Sequence, residues 1–279
     1  MNDSTNRLGR RGFVRFATLV AAATLFCGSA FAITPAEIKS RGKVIIGIQA
    51  ANPPWGYVDA STGKADGIDA DIGKLFAKEL GVQAEFVGLE VANRIPALTS
   101  GRVDVLFATM AMLPDRAKAV QFSKPYVANT SQLVAAKSTP IKTIEDIGKY
   151  TIGVPRSSSV DTDITKTAPP GTNILRFDND ASTIQALLSG QVQAVGGSIL
   201  YAKRLNEAQP NTYENKIAIT KAYNAACSRL GEKEINAALN AFMDKIKANG
   251  ELAKIQEKWM GSSMVNFPDS IDGVPFVAK

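Results

Sequence analysis

The sequence predicts an α/β protein of two lobes, each a mostly parallel sheet flanked by helices. From Lys43 onward, short continuous apolar runs alternate with stretches whose apolar residues recur at helical spacing, the pattern of βαβ units. After Lys137-Ser138-Thr139-Pro140 the same order of elements starts again. A chain of 279 residues with 45% apolar content can bury the cores that two such units need.

Residues 1–32 read as an export signal. Arg7, Arg10, Arg11 and Arg15 form a basic start, 16–26 is an apolar run, and Ala30-Phe31-Ala32 is an A-x-A cleavage site. The apolar run falls well short of the ~20 residues that span a bilayer. Arg10-Arg11-Gly12-Phe13 resembles a twin-arginine signal, and an ordinary Sec signal accounts for the same residues. Phe26 is bulky where a lipid-attachment site before Cys27 would want a small residue, so no lipid anchor is expected. The mature chain should be soluble and begin near Ile33.

The first series opens with a strand at 43–48 that ends in Gln49. A stiff loop at 50–57 holds Asn52, Pro53, Pro54 and Trp55. A helix follows through Ile72, Leu75, Phe76 and Leu80, stopped by Gly81, and then a strand at 83–88. A short helix carrying Ile95 and Leu98 closes at Gly101. The buried strand 103–108 then runs into Thr109, Met110 and a polar loop bearing Arg116. A short strand at 133–136 breaks the rhythm.

The second series has a strand at 149–154, a polar turn at 155–159 and a helix from Val160. Strand, helix and strand follow at 173–177, 182–188 and 193–196. A helix at 201–207 leads into an irregular region. A long amphipathic helix at 232–249, with Ile235, Leu239, Phe242 and Ile246 inward, precedes a last helix at 252–259. Ligands of open α/β sheets sit at the carboxyl ends of the strands, so a cleft between the lobes is the natural site.

Absent residue types exclude several functions. The chain has no histidine, which removes Ser-His and Cys-His dyads and every histidine metal site. Of two cysteines, Cys27 lies in the leader, so Cys227 has no partner for an internal disulfide. Half of the +6 net charge belongs to the leader, which leaves 28 basic against 25 acidic residues, scattered along the chain. Nucleic acid is not an expected partner, and no cofactor or metal is expected.

Residues 93–126, NRIPALTSGRVDVLFATMAMLPDRAKAVQFSKPY, resemble a known family together with several shorter motifs. These are Pro54-Trp55-Gly56-Tyr57, the run Gly63-Lys64-Ala65-Asp66-Gly67-Ile68-Asp69-Ala70-Asp71, Ile152-Gly153-Val154, and Lys258-Trp259-Met260-Gly261. In this order and spacing they are similar to the polar amino-acid branch of bacterial periplasmic solute-binding proteins, the receptors of ABC importers. The resemblance covers essentially the whole mature chain. It implies a two-lobed periplasmic-binding-protein fold of type II with two hinge strands, lobe one being 33–129 plus 224–279 and lobe two 130–223. It further implies a periplasmic monomer that closes on a small-molecule ligand and docks on the transmembrane subunits of an ABC permease.

The resemblance also implies roles for residues. Arg116 of Pro114-Asp115-Arg116 would hold an amino acid's carboxylate, which a planar guanidinium meets with two parallel hydrogen bonds. The residues alone equally allow a surface ion pair with Asp115 or Asp104. Thr109 would add its hydroxyl and backbone groups and Met110 its backbone, while Ala111 stands where the family has Thr or Ser. Ser157-Ser158-Ser159 would close on the same carboxylate from a helix start, or serve as an ordinary cap. Asn52, Trp55 and Val91 align with positions that contact the ligand side chain, although Trp55 could equally anchor its loop, and Gln49 occupies a strand-end position where some members place Asp. Arg94 either faces the cleft or caps its helix.

Ser198 stands where the family places the Asp that pairs with the α-ammonium. Either another acid, Asp161, takes that role, or the ligand lacks a free primary α-amine. These features describe a binding protein rather than an enzyme. The competing class, a periplasmic dehydratase of the cyclohexadienyl type on the same fold, needs a general acid in the cleft. A cleft without histidine, with Ser198 and Gln49 at acid positions, is expected to be poor in one.

Overall fold

The computed structural model describes residues 33–264 and 266–279, and the export signal read at 1–32 lies outside them. Helix α1 (Pro35–Arg41) starts on a capping box, Thr34 with Glu37, and ends at Gly42 in the left-handed conformation. The first series continues with β1 (Lys43–Gln49), the short ribbon β2 (Ala51–Asn52), β3 (Gly56–Val58) and β4 (Ala65–Asp66), then α2 (Ile68–Leu80) and β5 (Gln83–Leu89). Next come α3 (Arg94–Thr99), β6 (Val105–Leu106), α4 (Pro114–Ala117) and the long strand β7 (Gln121–Ala136). The second series is β8 (Ile152–Pro155), α5 (Ser159–Thr167), β9 (Ile174–Phe177), α6 (Asp180–Leu188), β10 (Ala194–Ser198) and α7 (Tyr201–Ala208). The long strand β11 (Tyr213–Ser228), α8 (Lys233–Ala248) and α9 (Glu251–Met260) complete the chain.

One eight-stranded sheet in the order β5-β1-β6-β11-β7-β10-β8-β9 carries both lobes. At one end β1 pairs in parallel with β5 and β6, and at the other β8 pairs in parallel with β9 and β10. The two 16-residue strands between them are antiparallel to each other. β11 meets the first lobe at Cys227 opposite Leu106, and β7 meets the second along Ala194 opposite Ala135 to Ser198 opposite Ser131. Both strands therefore run from one lobe into the other. Register shifts along β11, including those between Asn224 and Cys227, are irregularities of the bulge type, which bend and twist strand pairs.

Two predicted features change here. The short strand at 133–136 is the end of β7, and the irregular region after α7 is β11. Each strand buries polar residues: Gln121, Ser123, Asn129 and Ser131 on β7, Thr220, Asn224 and Ser228 on β11. Hydrophobic alternation is lost where side chains turn toward partners in two different lobes.

The first lobe has a core on each face of its sheet. On one face Phe76 packs against Phe107 and Phe242 at 5.8 and 5.3 Å between ring centroids, with Ile46, Ile235 and Leu239 around them. On the other lie Leu98, Leu106, Met110, Phe122 and Cys227. The second lobe repeats the arrangement, with Leu187, Val195 and Tyr201 on one face and Ile152, Val160 and Ile164 on the other. Because both faces are covered, the carboxyl ends of the parallel strands are left as the place where polar side chains converge.

Candidate ligand-binding site

Those strand ends surround one polar cavity. The first lobe contributes Gln49 from the end of β1, Asn52 and Trp55 from the β2–β3 ribbon, Val91, Arg94, Thr109 after β6, and Arg116 from α4. The second contributes Ser158, Ser159 and Val160 at the start of α5, Asp180 at the start of α6, and Gly197 and Ser198 at the end of β10. Asn129 and Ser131 of β7 form its back.

Among the described residues, three hydrogen bonds join the lobes across it. Trp55 Nε1 donates to Ser198 Oγ at 2.8 Å, Gln49 Nε2 to Asp180 Oδ2 at 3.2 Å, and an Arg116 Nη to the Ser157 carbonyl at 3.1 Å. Trp55 is thus a buried loop anchor and a cavity wall at once.

Arg116 forms neither of the surface ion pairs its sequence context allowed. Asp104 is held by Arg41 and Asp115 by Lys118, and among the described residues no carboxylate lies within 4.0 Å of the Arg116 guanidinium. Among the described residues it donates only to two backbone carbonyls, Ala111 and Ser157. Burial and the neighbouring Arg94 charge pull its pKa down to about 9, so it stays cationic at neutral pH. Beside it α5 begins, capped by Ser158, whose Oγ accepts from the Asp161 N–H. Among the described residues the Ser159 and Val160 N–H groups have no protein acceptor, as expected for the first turn of a helix. A cation and a helix N-terminus thus flank one corner of the cavity, a pairing suited to an anion.

Thr109 sits at the cavity with φ of 52°, a left-handed conformation that costs a β-branched residue about 1–3 kcal/mol. Its hydroxyl donates to Asp69 Oδ2 at 2.8 Å, and Tyr126 Oη donates to Asp69 Oδ1 at 2.6 Å. The Thr109 hydroxyl proton is therefore committed to Asp69 rather than free for a ligand. Arg94 does both things the sequence left open. It lines the cavity and ties its own helix to the strand exit through the carbonyls of Val91, Ala108 and Thr109.

Asp69 is fully buried, and desolvation pushes its pKa up to about 6 against an ordinary 3.8. Between these values the folded chain holds a proton that the unfolded chain has released, so stability falls as pH rises through the window. The loss amounts to about 3 kcal/mol. Asp69→Asn has no such titration. In urea unfolding at pH 4, 5.5 and 7, the stability of the variant relative to wild type should rise by about that amount. A constant difference would remove Asp69 as the titrating group.

Two predicted residues lie away from the cavity. Met110 is wholly buried in the core with Leu106 and Phe122, and its carbonyl accepts from Ala225 N–H in β11. Asp161 turns back on its own helix start: it accepts from Ser157 N–H at 2.9 Å and pairs with Arg176 at 2.9 Å. It is a local cap, not an acid facing the cleft. The acid that does line the cavity is Asp180, which the sequence reading passed over by starting that helix at residue 182. Asn179-Asp180 directly after an apolar strand is the usable signal, because a helix start at that point lies at the sheet's ligand edge.

Known proteins share this sequence pattern and fold. The model of the bacterial extracellular solute-binding proteins, family 3, matches residues 44–262. The ABC transporter glutamine-binding protein GlnH of Bacillus subtilis is 29% identical over 232 residues, covering 81% of this chain and 84% of the relative. A solute receptor for L-cysteine from Neisseria gonorrhoeae superimposes with a TM-score of 0.76 at 32% identity, covering 82% and 94% of the two chains. An ancestral amino acid-binding protein, AncCDT-1, described as a precursor of cyclohexadienyl dehydratase, superimposes with a TM-score of 0.72 at 28% identity over 81% and 98%. Fold and cleft define a two-lobed solute receptor. The chain belongs to family 3 of the bacterial extracellular solute-binding proteins.

Proposed function

We propose that the chain is the periplasmic substrate-binding component of an ABC importer, and that its cavity closes on an amino acid or a related carboxylate-bearing small molecule. The observation that carries this reading is Arg116, a cation without a carboxylate partner among the described residues that meets the second lobe beside the start of α5. The ligand carboxylate lies between the guanidinium and the Ser158-Ser159 turn, while Gln49, Asn52, Trp55 and Arg94 surround its other end. Lobe one (33–129 plus 224–279) and lobe two (130–223) open and close about β7 and β11. The closed monomer docks on the permease subunits. Residues 1–32 direct export, by a twin-arginine or a Sec route. The names of GlnH and of the L-cysteine receptor support the ligand class.

Transport requires no chemistry on the ligand, and the chain acts as a binder. A thermal-shift screen of the twenty amino acids, N-substituted amino acids and dicarboxylates tests the reading. A true ligand at about 100 times its Kd stabilises the fold by about 2.7 kcal/mol and raises the melting temperature by several degrees. No shift with any of them would refute it. Formation of product from prephenate or arogenate would instead favour the dehydratase class.

A further inference from the structure

We propose that Asp180 is the seat for a positively charged group of the ligand, the α-ammonium of an amino acid whose other end Arg116 holds. The inference rests on the carboxylate reading of Arg116 and adds the second charge. Asp180 is the only carboxylate among the described residues that line the cavity, and it is 5% exposed. Its Oδ1 accepts from Tyr201 Oη at 2.5 Å and its Oδ2 from Gln49 Nε2 at 3.2 Å.

Those two donors leave half of the roughly four lone-pair positions of a carboxylate. Among the described residues no Lys or Arg nitrogen lies within 4.0 Å of it. The Arg94 and Arg204 charges act on it only from beyond that distance, and an ammonium with three donors and one charge is the group that would pair with it directly. Burial accordingly holds the Asp180 pKa above the ordinary range.

Two neighbours position this carboxylate. Tyr201 is wholly buried, so its hydroxyl approaches from one fixed direction. Gln49 is oriented in turn by Asn52, whose Nδ2 donates to Gln49 Oε1 at 3.2 Å. The same cavity presents buried acceptors without partners among the described residues, Asn52 Oδ1 and Asn129 Oδ1. An anion and unpartnered acceptors lining the same cavity as Arg116 match a zwitterion and not a simple carboxylic acid.

The test is isothermal titration of wild type, Asp180→Asn and Tyr201→Phe with L-glutamine and L-cysteine, and with their counterparts that lack only the α-amine, glutaramic acid and 3-mercaptopropionic acid. Wild type should favour an amino acid over its amine-free counterpart by about 30-fold or more, the size of one charge-assisted hydrogen bond. In Asp180→Asn the preference should shrink to about threefold or less, through loss of amino-acid affinity with the amine-free acid unchanged. Tyr201→Phe should fall between the two, an effect on amine preference that a purely structural role would not produce. Equal wild-type affinity for both members of each pair would overturn the Asp180 seat and leave the carboxylate reading standing. So would a preference that survives Asp180→Asn. Binding of none of the four by wild type would overturn the seat for these two amino acids, and the screen above then decides the carboxylate reading separately.

Discussion

Arg116→Ala is expected to weaken binding of any acid that stabilises the wild type by 100-fold or more. Each hydrogen bond from a guanidinium to a carboxylate contributes about 1.5–3 kcal/mol net, and the two of a planar fork together about 3–6 kcal/mol. At 1.4 kcal/mol per tenfold this spans roughly 10²- to 10⁴-fold. Arg116→Lys keeps the charge and loses the fork, so its affinity should fall between the two. The unliganded fold should be nearly indifferent to Arg116→Ala, because the half-buried side chain bonds only the Ala111 and Ser157 carbonyls. Titration calorimetry gives the affinity and a melt without ligand gives the stability. Unchanged affinity would place the carboxylate elsewhere.

What the sequence made legible, and what it hid, follows from the range of the forces involved. The strand Lys43–Gln49 was readable as a continuous apolar run and the helix Ile68–Leu80 from apolar residues at helical spacing with a local stop, Gly81 being left-handed after α2. Arg116 was readable from its resemblance to a motif, and its position at a strand exit agrees with a general property of parallel sheets. The long strands β7 and β11 were hidden because they cross between lobes. Asn129 and Asn224, which meet at 3.5 Å, are buried on a strand pair that no apolar alternation marks.

The cavity acids show the same limit more sharply. Asp161 stands beside the serine turn in sequence and looked like a cleft residue. Its partners are four residues away at Ser157 and Thr165 and fifteen away at Arg176, so its role is local. Asp180 sits at a helix start, where an Asp usually needs no further explanation. Its partners, Tyr201 and Gln49, lie 21 and 131 residues away, a convergence no local pattern reports. The lack of an acid at Ser198 raised a question about the ligand's amine that no motif in the sequence answers. The carboxylate that lines the cavity, Asp180, stands on a different element of the same lobe.

Gly197→Ala is expected to destabilise the fold by about 3–5 kcal/mol, a large effect for one methyl group on a strand. A Cβ at this position would lie 2.2 Å from two ring carbons of Tyr201, where ordinary contact begins near 3.4 Å. Gly197 lies in β10, paired opposite Gln132 of β7, so the backbone cannot retreat without breaking the ladder. The ring must move instead, although it is wholly buried against Leu187, Val195 and Leu205. Overpacking of this kind costs about 1–3 kcal/mol. A displaced ring also gives up the Tyr201–Asp180 hydrogen bond, a further 1.5–3 kcal/mol or so for a bond to a charged group. Tyr201→Phe loses only that second contribution and should be the milder variant. In a Tyr201→Ala background the clashing ring is gone, and adding Gly197→Ala should cost less than about 1 kcal/mol. Urea unfolding of the single and double variants measures this coupling directly. Costs that simply add would show that the close approach of Gly197 to Tyr201 is not what makes glycine necessary there.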